Sequence, residues 1–177
     1  MPGPKFLDGD RVTLRVPAED DVEFLLEHEN DPAVRRTRSA NLPTGPEEVR
    51  RRLGGTLGRS DDTLALVVSA DGDPVGLVYL IREKPNDDVY GRAELAFWVA
   101  PHAQGNGYAT DAARTVVAHG FDRLRLHKVT AKAFAHNEAS KRVLEKVGFV
   151  EEGVFRDEAF VDGEYRDVVR YGLLADE

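Results

Sequence analysis

A short glycine-containing segment carries the strongest chemical signal in this sequence. It consists of six consecutive residues, Gln104, Gly105, Asn106, Gly107, Tyr108 and Ala109. Its two glycines allow successive backbone N–H groups to converge on one point, and the apolar spacing of residues 110–124 predicts a helix directly after it. The partial positive charge of a helix N-terminus adds to those N–H groups. The segment therefore predicts a site for an anion such as a pyrophosphate, although a plain strand-to-helix turn has the same spacing.

Two better-known phosphate sites do not fit this segment. It lacks the Gly-Lys-Ser/Thr sequence of a P-loop, which excludes that motif. It also departs from the Gly-x-Gly-x-x-Gly pattern, and the strands that precede it have the spacing of an antiparallel sheet. Both observations disfavour a dinucleotide-binding fold.

A second chemical candidate is the carboxylate of Glu94, which lies inside an apolar segment. Residues 90–99 alternate in polarity and predict a strand, and Glu94 interrupts its apolar character. Burial in such a strand is expected to make the carboxylate a better general base. The alternative is a solvent-facing carboxylate with no chemical role.

The elements that must position these residues follow from hydrophobic periodicity. Strands are predicted over residues 12–16, 63–70, 74–82, 90–99, 128–134, 154–160 and 165–173, with a turn over residues 84–88. Helices are predicted over residues 18–29, 31–36, 110–124 and 139–147, and a further helix from Pro46 has Val49, Leu53 and Leu57 on its apolar side. A central run of antiparallel strands followed by alternating strands and helices predicts an α/β (α+β) fold on a mixed, mostly antiparallel sheet. The length of 177 residues predicts a single domain, residues 1–177.

A third segment, residues 136–149, connects the glycine-containing segment to a known family. Asn137 is placed to cap the helix that follows, and Ser140 lies three residues later on the same face. The segment resembles the Asn-x-x-Ser-x-x-x-x-Glu-Lys-x-Gly-Phe block of the GNAT family of N-acetyltransferases. Residues 104–109 match the pyrophosphate motif of that family. Within the family, the chain looks like the RimJ/RimL branch, which acetylates the N-termini of ribosomal proteins.

The resemblance implies a sheet that is splayed at its middle, with helices on both faces. Acetyl-CoA would enter between two neighbouring parallel strands, residues 92–99 and 128–134. The pyrophosphate would lie on residues 104–109, and the pantetheine arm would run beside the main chain of Phe97, Trp98 and Val99. A backbone N–H near Val99 would stabilise the oxyanion. Asn137 and Ser140 would complete the coenzyme site.

The same resemblance assigns catalytic roles. Glu94 would accept a proton from the acceptor amine, directly or through water. Ser140 would donate a hydrogen bond to the departing thiolate. Many relatives use a tyrosine further along this helix, and the aligned position here is Leu144, so the source of the acid stays open. Two interpretations remain for the side chain of Trp98: it lies in the core, or it forms a wall of the acceptor pocket.

The expected reaction is direct attack of a primary amine on acetyl-CoA in a ternary complex. The expected acceptor is the N-terminal α-amine of a protein or peptide. The alternatives are a polyamine or aminoglycoside-like small amine, or a non-catalytic acyl-CoA-binding module. The acceptor pocket is expected from residues 18–57. Two interpretations remain for the arginines of this region, Arg35, Arg36 and Arg38: they contact a ligand, or they form a solvated surface.

Composition narrows the remaining possibilities. A net charge of −8 argues against a nucleic-acid partner, and the absence of cysteine excludes disulfides and thiolate chemistry. No apolar run is long enough to span a bilayer and the N-terminus lacks a signal core, so we expect no membrane partner and a cytoplasmic location. The five histidines show no ligand spacing, and we expect no metal. A homodimer is left open.

Overall fold

The computed structural model describes residues 1–38, 40–59, 62–82 and 91–177. The described strands are β1 (Lys5–Asp8), β2 (Thr13–Arg15), β3 (Leu64–Ala70), β4 (Asp73–Ile81), β5 (Arg92–Val99), β6 (Lys128–Phe134), β7 (Val150–Val161) and β8 (Glu164–Leu174). The described helices are α1 (Val22–Asn30), α2 (Pro32–Arg38), α3 (Pro46–Arg52), α4 (Tyr108–Leu124) and α5 (Glu138–Val147).

The described strands form one mixed sheet in the order β1-β2-β3-β4-β5-β6-β8-β7. The neighbours in this order pair antiparallel except for β5 and β6, which are parallel. A parallel pair needs a crossover, and α4 supplies it between these two strands. The prediction of a mixed, mostly antiparallel sheet is confirmed.

The sheet opens between its two parallel strands. Their register runs from Arg92 opposite Lys128 to Leu95 opposite Ala131 and ends there. Beyond that point, β5 continues to pair with β4 as far as Val99, and β6 continues to pair with β8. Past this point, β5 remains paired with β4 and β6 remains paired with β8, but β5 and β6 no longer pair with each other. The predicted splay at the middle of the sheet is confirmed.

Helices cover both faces of the sheet, as predicted. On one face, α4 and α5 pack against a core that includes Val116, Val117 and Leu144. On the other face, α1, α2 and α3 cover a second core that includes Leu25, Val49 and Trp98. The alternation of side chains along each strand divides the sheet residues between the two cores.

The structure corrects several boundaries. The helix from Pro46 ends at Arg52, and Leu57 lies in a turn with a positive φ of 46° rather than on the helix face. The pair Gly54-Gly55 explains this early end, because glycine is a poor helix former and Gly54 has a φ of 121°. β1 was not predicted, and β7 begins four residues earlier than expected.

Some predictions stay open. The turn over residues 84–88 lies outside the described residues, as does residue 90 of the predicted strand. The single domain over residues 1–177 also stays a prediction. No helix in the described ranges is long and apolar enough to cross a membrane.

Candidate active site

The glycine-containing segment leads into helix α4, whose N-terminus has no side-chain cap. Gly105 and Gly107 have positive φ angles of 81° and 79°, in the left-handed region where a side chain is strained. Gly107 occupies the N-cap position, and no side chain caps the helix there. The first N–H that bonds within the helix is that of Asp111, which donates to the carbonyl of Gly107. The N–H groups of the first turn are therefore available to an anion.

Polar side chains of the segment hold its own backbone in place. Gln104 Nε2 donates to the carbonyl oxygen of Val99 at 3.1 Å. Asn106 Nδ2 donates to the carbonyl oxygen of Ala103 at 3.0 Å. The first of these bonds ties the segment to the end of β5, where the sheet is open. These side chains thus position the anion site and the strand edge relative to each other.

Cationic side chains that sequence reasoning missed line a groove beside this segment. The groove has a volume of about 450 Å³, and its lining includes Gly105, Gly107, Arg11, Arg114 and Lys146. The three cations come from the N-terminal region, α4 and α5. Arg114 lies seven residues after Gly107, two helical turns along α4, and that spacing is the one sequence signal that could have identified it. The groove combines cationic side chains with free helix N–H groups, which suits a phosphate ligand.

A buried carboxylate holds the N-terminal loop against this groove. Asp111 is buried and accepts hydrogen bonds from the backbone N–H groups of Asp10, Arg11 and Val12, at 3.1, 2.7 and 3.0 Å. Arg11 Nη1 donates to the carbonyl of Asn106 at 3.3 Å. The carboxylate at the start of α4 is therefore occupied by backbone donors, and it sets the position of Arg11.

The open edge of β5 presents main-chain groups to the gap. The carbonyl of Trp98 points towards β4, because a Cβ added at Gly76 would lie 2.2 Å from it. Successive residues of a strand direct their main-chain groups to opposite edges, so those of Phe97 and Val99 point into the gap. The carbonyl of Val99 accepts the hydrogen bond from Gln104, and the N–H of Val99 faces the gap without such a partner among the described residues. This agrees with the expected oxyanion donor. The main-chain groups of Trp98 face β4, so the structure corrects the expectation that they border the pantetheine arm.

The expected burial of Glu94 is wrong. Its side chain is 34% exposed, and its Oε2 lies 3.0 Å from Lys132 Nζ. The register pairs Glu94 with Thr130, so Lys132 stands two residues further along the same face of β6. Because the strands begin to separate here, solvent and a cation reach the carboxylate. Glu94 therefore lies at the base of the gap as an ion-paired carboxylate, and Lys132 is a neighbour that the sequence did not indicate.

The start of α5 agrees with the predicted cap. Asn137 Oδ1 accepts a hydrogen bond from the backbone N–H of Ser140 at 3.1 Å, which confirms the capping role of Asn137. The hydroxyl of Ser140 makes no hydrogen bond to any described residue. Leu144, at the position of the tyrosine in many relatives, is 0% exposed and belongs to the core. The hydroxyl of Ser140 is thus the free polar group that α5 offers here.

Glu94 and Ser140 lie on opposite sides of the sheet. Glu94 shares its face of β5 with Ala96 and Trp98, which pack beneath α1 to α3. Ser140 belongs to α5, which packs on the other face together with α4. The gap between β5 and β6 is the passage between the two sides. A base on one side and a leaving-group donor on the other suit a transfer that takes place in the gap.

Comparison with known proteins identifies the family. The model of the acetyltransferase (GNAT) domain matches residues 11–150. The chain belongs to the GNAT family. This match confirms the expectation of an acetyltransferase domain with acetyl-CoA as co-substrate, at the level of the family, and it includes the glycine-containing segment and all of the block at residues 136–149.

Two curated GNAT relatives differ in their acceptors. A putative ribosomal N-acetyltransferase, YdaF, from Bacillus subtilis is 37% identical over 107 residues, which are 60% of this chain and 57% of the relative. A spermidine N(1)-acetyltransferase from Escherichia coli is 36% identical over 104 residues, 59% of this chain and 54% of the relative. The matched part of the chain thus spans just over half the length of these curated relatives.

A solved structure resembles the whole fold. The crystal structure of spermidine N-acetyltransferase from Vibrio cholerae in complex with CoA and spermine has a TM-score of 0.83 and 26% sequence identity. The similarity covers 94% of this chain and 96% of that one. The GNAT fold is therefore shown, and the relatives leave the RimJ/RimL branch as a prediction.

The second face of the GNAT sheet carries an aromatic cluster above β5. Trp98 is 5% exposed, and its ring stacks on Phe24 of α1 at a centroid distance of 5.6 Å. His28 stacks against the same indole at 6.1 Å, and His102 lies 5.7 Å from His28. Trp98 is thus a core residue that also forms the floor beneath the N-terminal helices. Across the described ranges, no group of three or more His, Cys, Asp or Glu side chains is arranged to hold a metal ion.

Proposed function

We propose that this GNAT domain transfers the acetyl group of acetyl-CoA to the N-terminal α-amine of a peptide or protein. The observation that carries the proposal is the open gap between β5 and β6, which begins after Leu95 and Ala131. The uncapped N-terminus of α4 and the cationic groove are tied to the same end of β5 through Gln104.

The donor side supports the coenzyme half of the proposal. The N–H groups at Gly107 to Ala109 and the cations Arg11, Arg114 and Lys146 would bind the phosphates of acetyl-CoA. The pantetheine arm would then follow the unpaired edge of β5 into the gap, where its amides replace the missing strand neighbour. Asn137 and Ser140 at the start of α5 would border the other side.

The reaction needs three groups to act in the gap. The neutral amine attacks the thioester carbonyl carbon, and its N–H proton passes to Glu94 through bridging water, because five residues of β5, roughly 16 Å, separate Glu94 from Val99. The N–H of Val99 stabilises the oxyanion that forms. The carbon–sulfur bond then breaks, and the hydroxyl of Ser140 donates a hydrogen bond to the departing thiolate. The acetyl group ends on the amine, and the coenzyme leaves as free CoA once its thiolate takes up a proton.

The α-amine is favoured over a lysine amine because of its acidity. The pKa of an α-amine is about 8, whereas that of a lysine side chain is about 10.4, so a larger fraction of an α-amine is neutral near pH 7. Glu94 is partly exposed, and one of its carboxylate oxygens is already engaged by Lys132. An acceptor that needs little help from the base is therefore the better fit. The similarity to a putative ribosomal N-acetyltransferase supports the same acceptor and the RimJ/RimL branch.

A polyamine acceptor is the second candidate, since two of the relatives are spermidine acetyltransferases. A polyamine carries several positive charges and requires carboxylates along its path. The acceptor side of this chain can therefore be tested for the two classes separately.

The test is a turnover screen that measures the release of the CoA thiol from acetyl-CoA. N-terminal peptides, spermidine and aminoglycosides are offered as acceptors in parallel. The proposal predicts turnover with peptides that have a free N-terminus and none with the same peptides after N-terminal blocking. Turnover with spermidine alone would favour the second candidate, and CoA binding without any turnover would indicate a non-catalytic acyl-CoA-binding module.

A further inference from the structure

We infer that Arg38 and Arg59 form an anion subsite on the acceptor side, and that the acceptor peptides carry acidic side chains shortly after their N-terminal residue. This inference rests on the proposed function and specifies its substrate class. It follows from the aromatic floor, the balance of charges around it and the way both arginines are held.

The two guanidinium groups lie above neighbouring aromatic rings of the sheet. The register places Trp98 opposite Leu77, so Tyr79 lies two residues along on the same face of β4. Trp98 and Tyr79 are 5% and 4% exposed. The Arg38 guanidinium lies 5.7 Å from the centre of the Trp98 ring, and that of Arg59 lies 5.1 Å from the centre of the Tyr79 ring. Both arginines therefore lie over buried aromatic rings on the same face of the sheet, and we call these two rings the floor.

The pKa of Tyr79 reports the charges that surround its hydroxyl. Burial raises the pKa of Tyr79, and Arg38 opposes this shift more strongly than any other group. The charge of Glu29 raises the same pKa, whereas Arg59 and Arg52 lower it. Three cations and one carboxylate thus lie within electrostatic reach of a single buried hydroxyl.

The carboxylate in this group is already neutralised. Glu29 is buried, and its Oε2 lies 2.6 Å from Arg52 Nη2. Within the described part of the chain, neither Arg38 nor Arg59 has a carboxylate partner. Among the described residues, Arg38 and Arg59 are thus two cations without a carboxylate at ion-pair distance, in a chain whose net charge is −8.

Three described carboxylates of β5 and the β7–β8 hairpin already have cationic partners. Glu94 pairs with Lys132 at 3.0 Å, and Glu158 pairs with Arg170 at 3.3 Å. At the tip of the β7–β8 hairpin, Asp162 pairs with Arg36 at 3.4 Å. A polyamine would have to break such pairs and approach Arg38 and Arg59. A carboxylate would instead meet two cations that have no carboxylate partner within the described ranges, which favours an acidic acceptor.

Hydrogen bonds are made near both arginines in the chain. Arg35 Nε donates to the carbonyl of Ala40 at 3.1 Å. The N–H of Arg59 donates to the carbonyl of Thr56 at 3.1 Å, in the turn that follows α3. The guanidinium groups themselves lie over the rings of Trp98 and Tyr79.

The position of the subsite sets which acceptor residues it reads. The carbonyl that the amine attacks would lie at the N–H of Val99, one residue from Trp98 on β5. An acceptor whose amine lies there and whose chain extends over Trp98 and Tyr79 would bring the side chains that follow its N-terminal residue to Arg38 and Arg59. Asp or Glu at these positions would form charge-assisted hydrogen bonds with the guanidinium groups.

The experiment compares three amidated peptides that share an N-terminal serine and differ in the next three residues. These residues are Asp-Glu-Asp, Ala-Ala-Ala or Lys-Arg-Lys, and spermidine is the fourth acceptor. We expect kcat/KM to be about tenfold higher for the acidic peptide than for the neutral one. The difference should lie in KM, and it should become smaller at high salt. The basic peptide and spermidine are expected below the neutral peptide.

Variants locate the effect. The double variant Arg38→Gln/Arg59→Gln should remove the preference for the acidic peptide and leave kcat for the neutral peptide within about twofold. Arg51→Gln is the matched control, because Arg51 is an exposed arginine of α3 that pairs with Glu48. This control should retain the preference.

The outcomes separate the two proposals. Turnover of the neutral peptide with no acidic preference, or with a preference for the basic peptide or spermidine, would overturn the anion subsite and leave acetyl transfer intact. A preference that survives in the double variant would also overturn it. Absence of turnover with all four acceptors would instead overturn the proposed function.

Discussion

We propose that the two sides of this GNAT sheet bind their ligands by different means. The donor side would use main-chain groups, namely the free N–H groups at the start of α4 and the unpaired edge of β5, beside the cations of the groove. The acceptor side would use side chains, such as those of Arg38 and Arg59 over the rings of Trp98 and Tyr79. A main-chain site depends on local conformation, and a side-chain site depends on which residues the fold brings together.

This difference explains why one side can be interpreted from sequence more easily than the other. A backbone site needs glycines at specific φ angles within a few consecutive residues, so its signal is local. Arg38, Arg59 and Trp98 are far apart in sequence and meet only after α2, the turn after α3, and β5 have packed together. The predictions below change one side at a time, beginning with the largest expected effect.

Gly107→Trp should abolish acetyl-CoA binding and leave the fold intact. The φ of 79° strains any side chain by roughly 1–2 kcal/mol, and the indole would fill the groove beside Arg11. Calorimetric titration with CoA measures the loss. Gly163→Trp is the matched control, because Gly163 has a φ of 81° in the β7–β8 turn with open space around it. Tight binding by the Gly107 variant would show that the donor site lies elsewhere.

Glu94→Gln should lower kcat on the order of 10²-fold, as expected for loss of a general base, with the KM for acetyl-CoA unchanged. The pH–rate profile should also change, since the amide cannot accept a proton. Steady-state rates across pH measure both effects. Glu158→Gln breaks a comparable exposed ion pair and serves as the control. An unchanged profile in the Glu94 variant would exclude Glu94 as the base.

Ser140→Ala should reduce kcat roughly tenfold, because one hydrogen bond to the departing thiolate is lost. Stability should change little, since Asn137 bonds the backbone N–H of Ser140 and not its hydroxyl. Ser140→Thr keeps the hydroxyl and should retain more activity. Equal rates for the wild type and the alanine variant would mean that α5 contributes only the Asn137 cap.

His119→Gln should have the smallest effect, and it should alter neither binding site. Partial burial lowers the pKa of His119, Arg123 lowers it further and Asp122 opposes the shift. The unfolded chain therefore takes up a proton more readily, and the folded protein loses stability as the pH falls through the ordinary histidine pKa of about 6.5. Chemical unfolding at several pH values should show a flatter dependence in the variant. An identical dependence would mean that His119 does not contribute.

Several features of the fold were accessible from the sequence because their signals are local. The strand at Lys128–Phe134, the cap at Asn137 and the mixed sheet follow from periodicity and capping chemistry. The helix that begins at Pro46 was extended too far because its apolar spacing continues to Leu57 after the helix ends. The apolar pattern reports burial, and Leu57 is buried in a turn.

The remaining features depend on tertiary contacts. The partner of Glu94 is Lys132, which lies 38 residues later in the chain. Lys132 belongs to β6, which pairs with β5 only because the crossover through α4 brings the two strands together. The apolar neighbours of Glu94 in sequence indicated burial, but the opening of the sheet at that point exposes the carboxylate. Arg11 was missed as a groove residue for the same reason, since Asp111 brings its loop to α4.

The most direct test of the account is to locate the transferred acetyl group. The enzyme is incubated with acetyl-CoA and the acidic peptide, extended by one internal lysine, and the product is sequenced by tandem mass spectrometry. The account predicts one acetyl group on the N-terminal α-amine and none on the lysine. Acetylation of the lysine, or no acetylation while CoA binds, would contradict it.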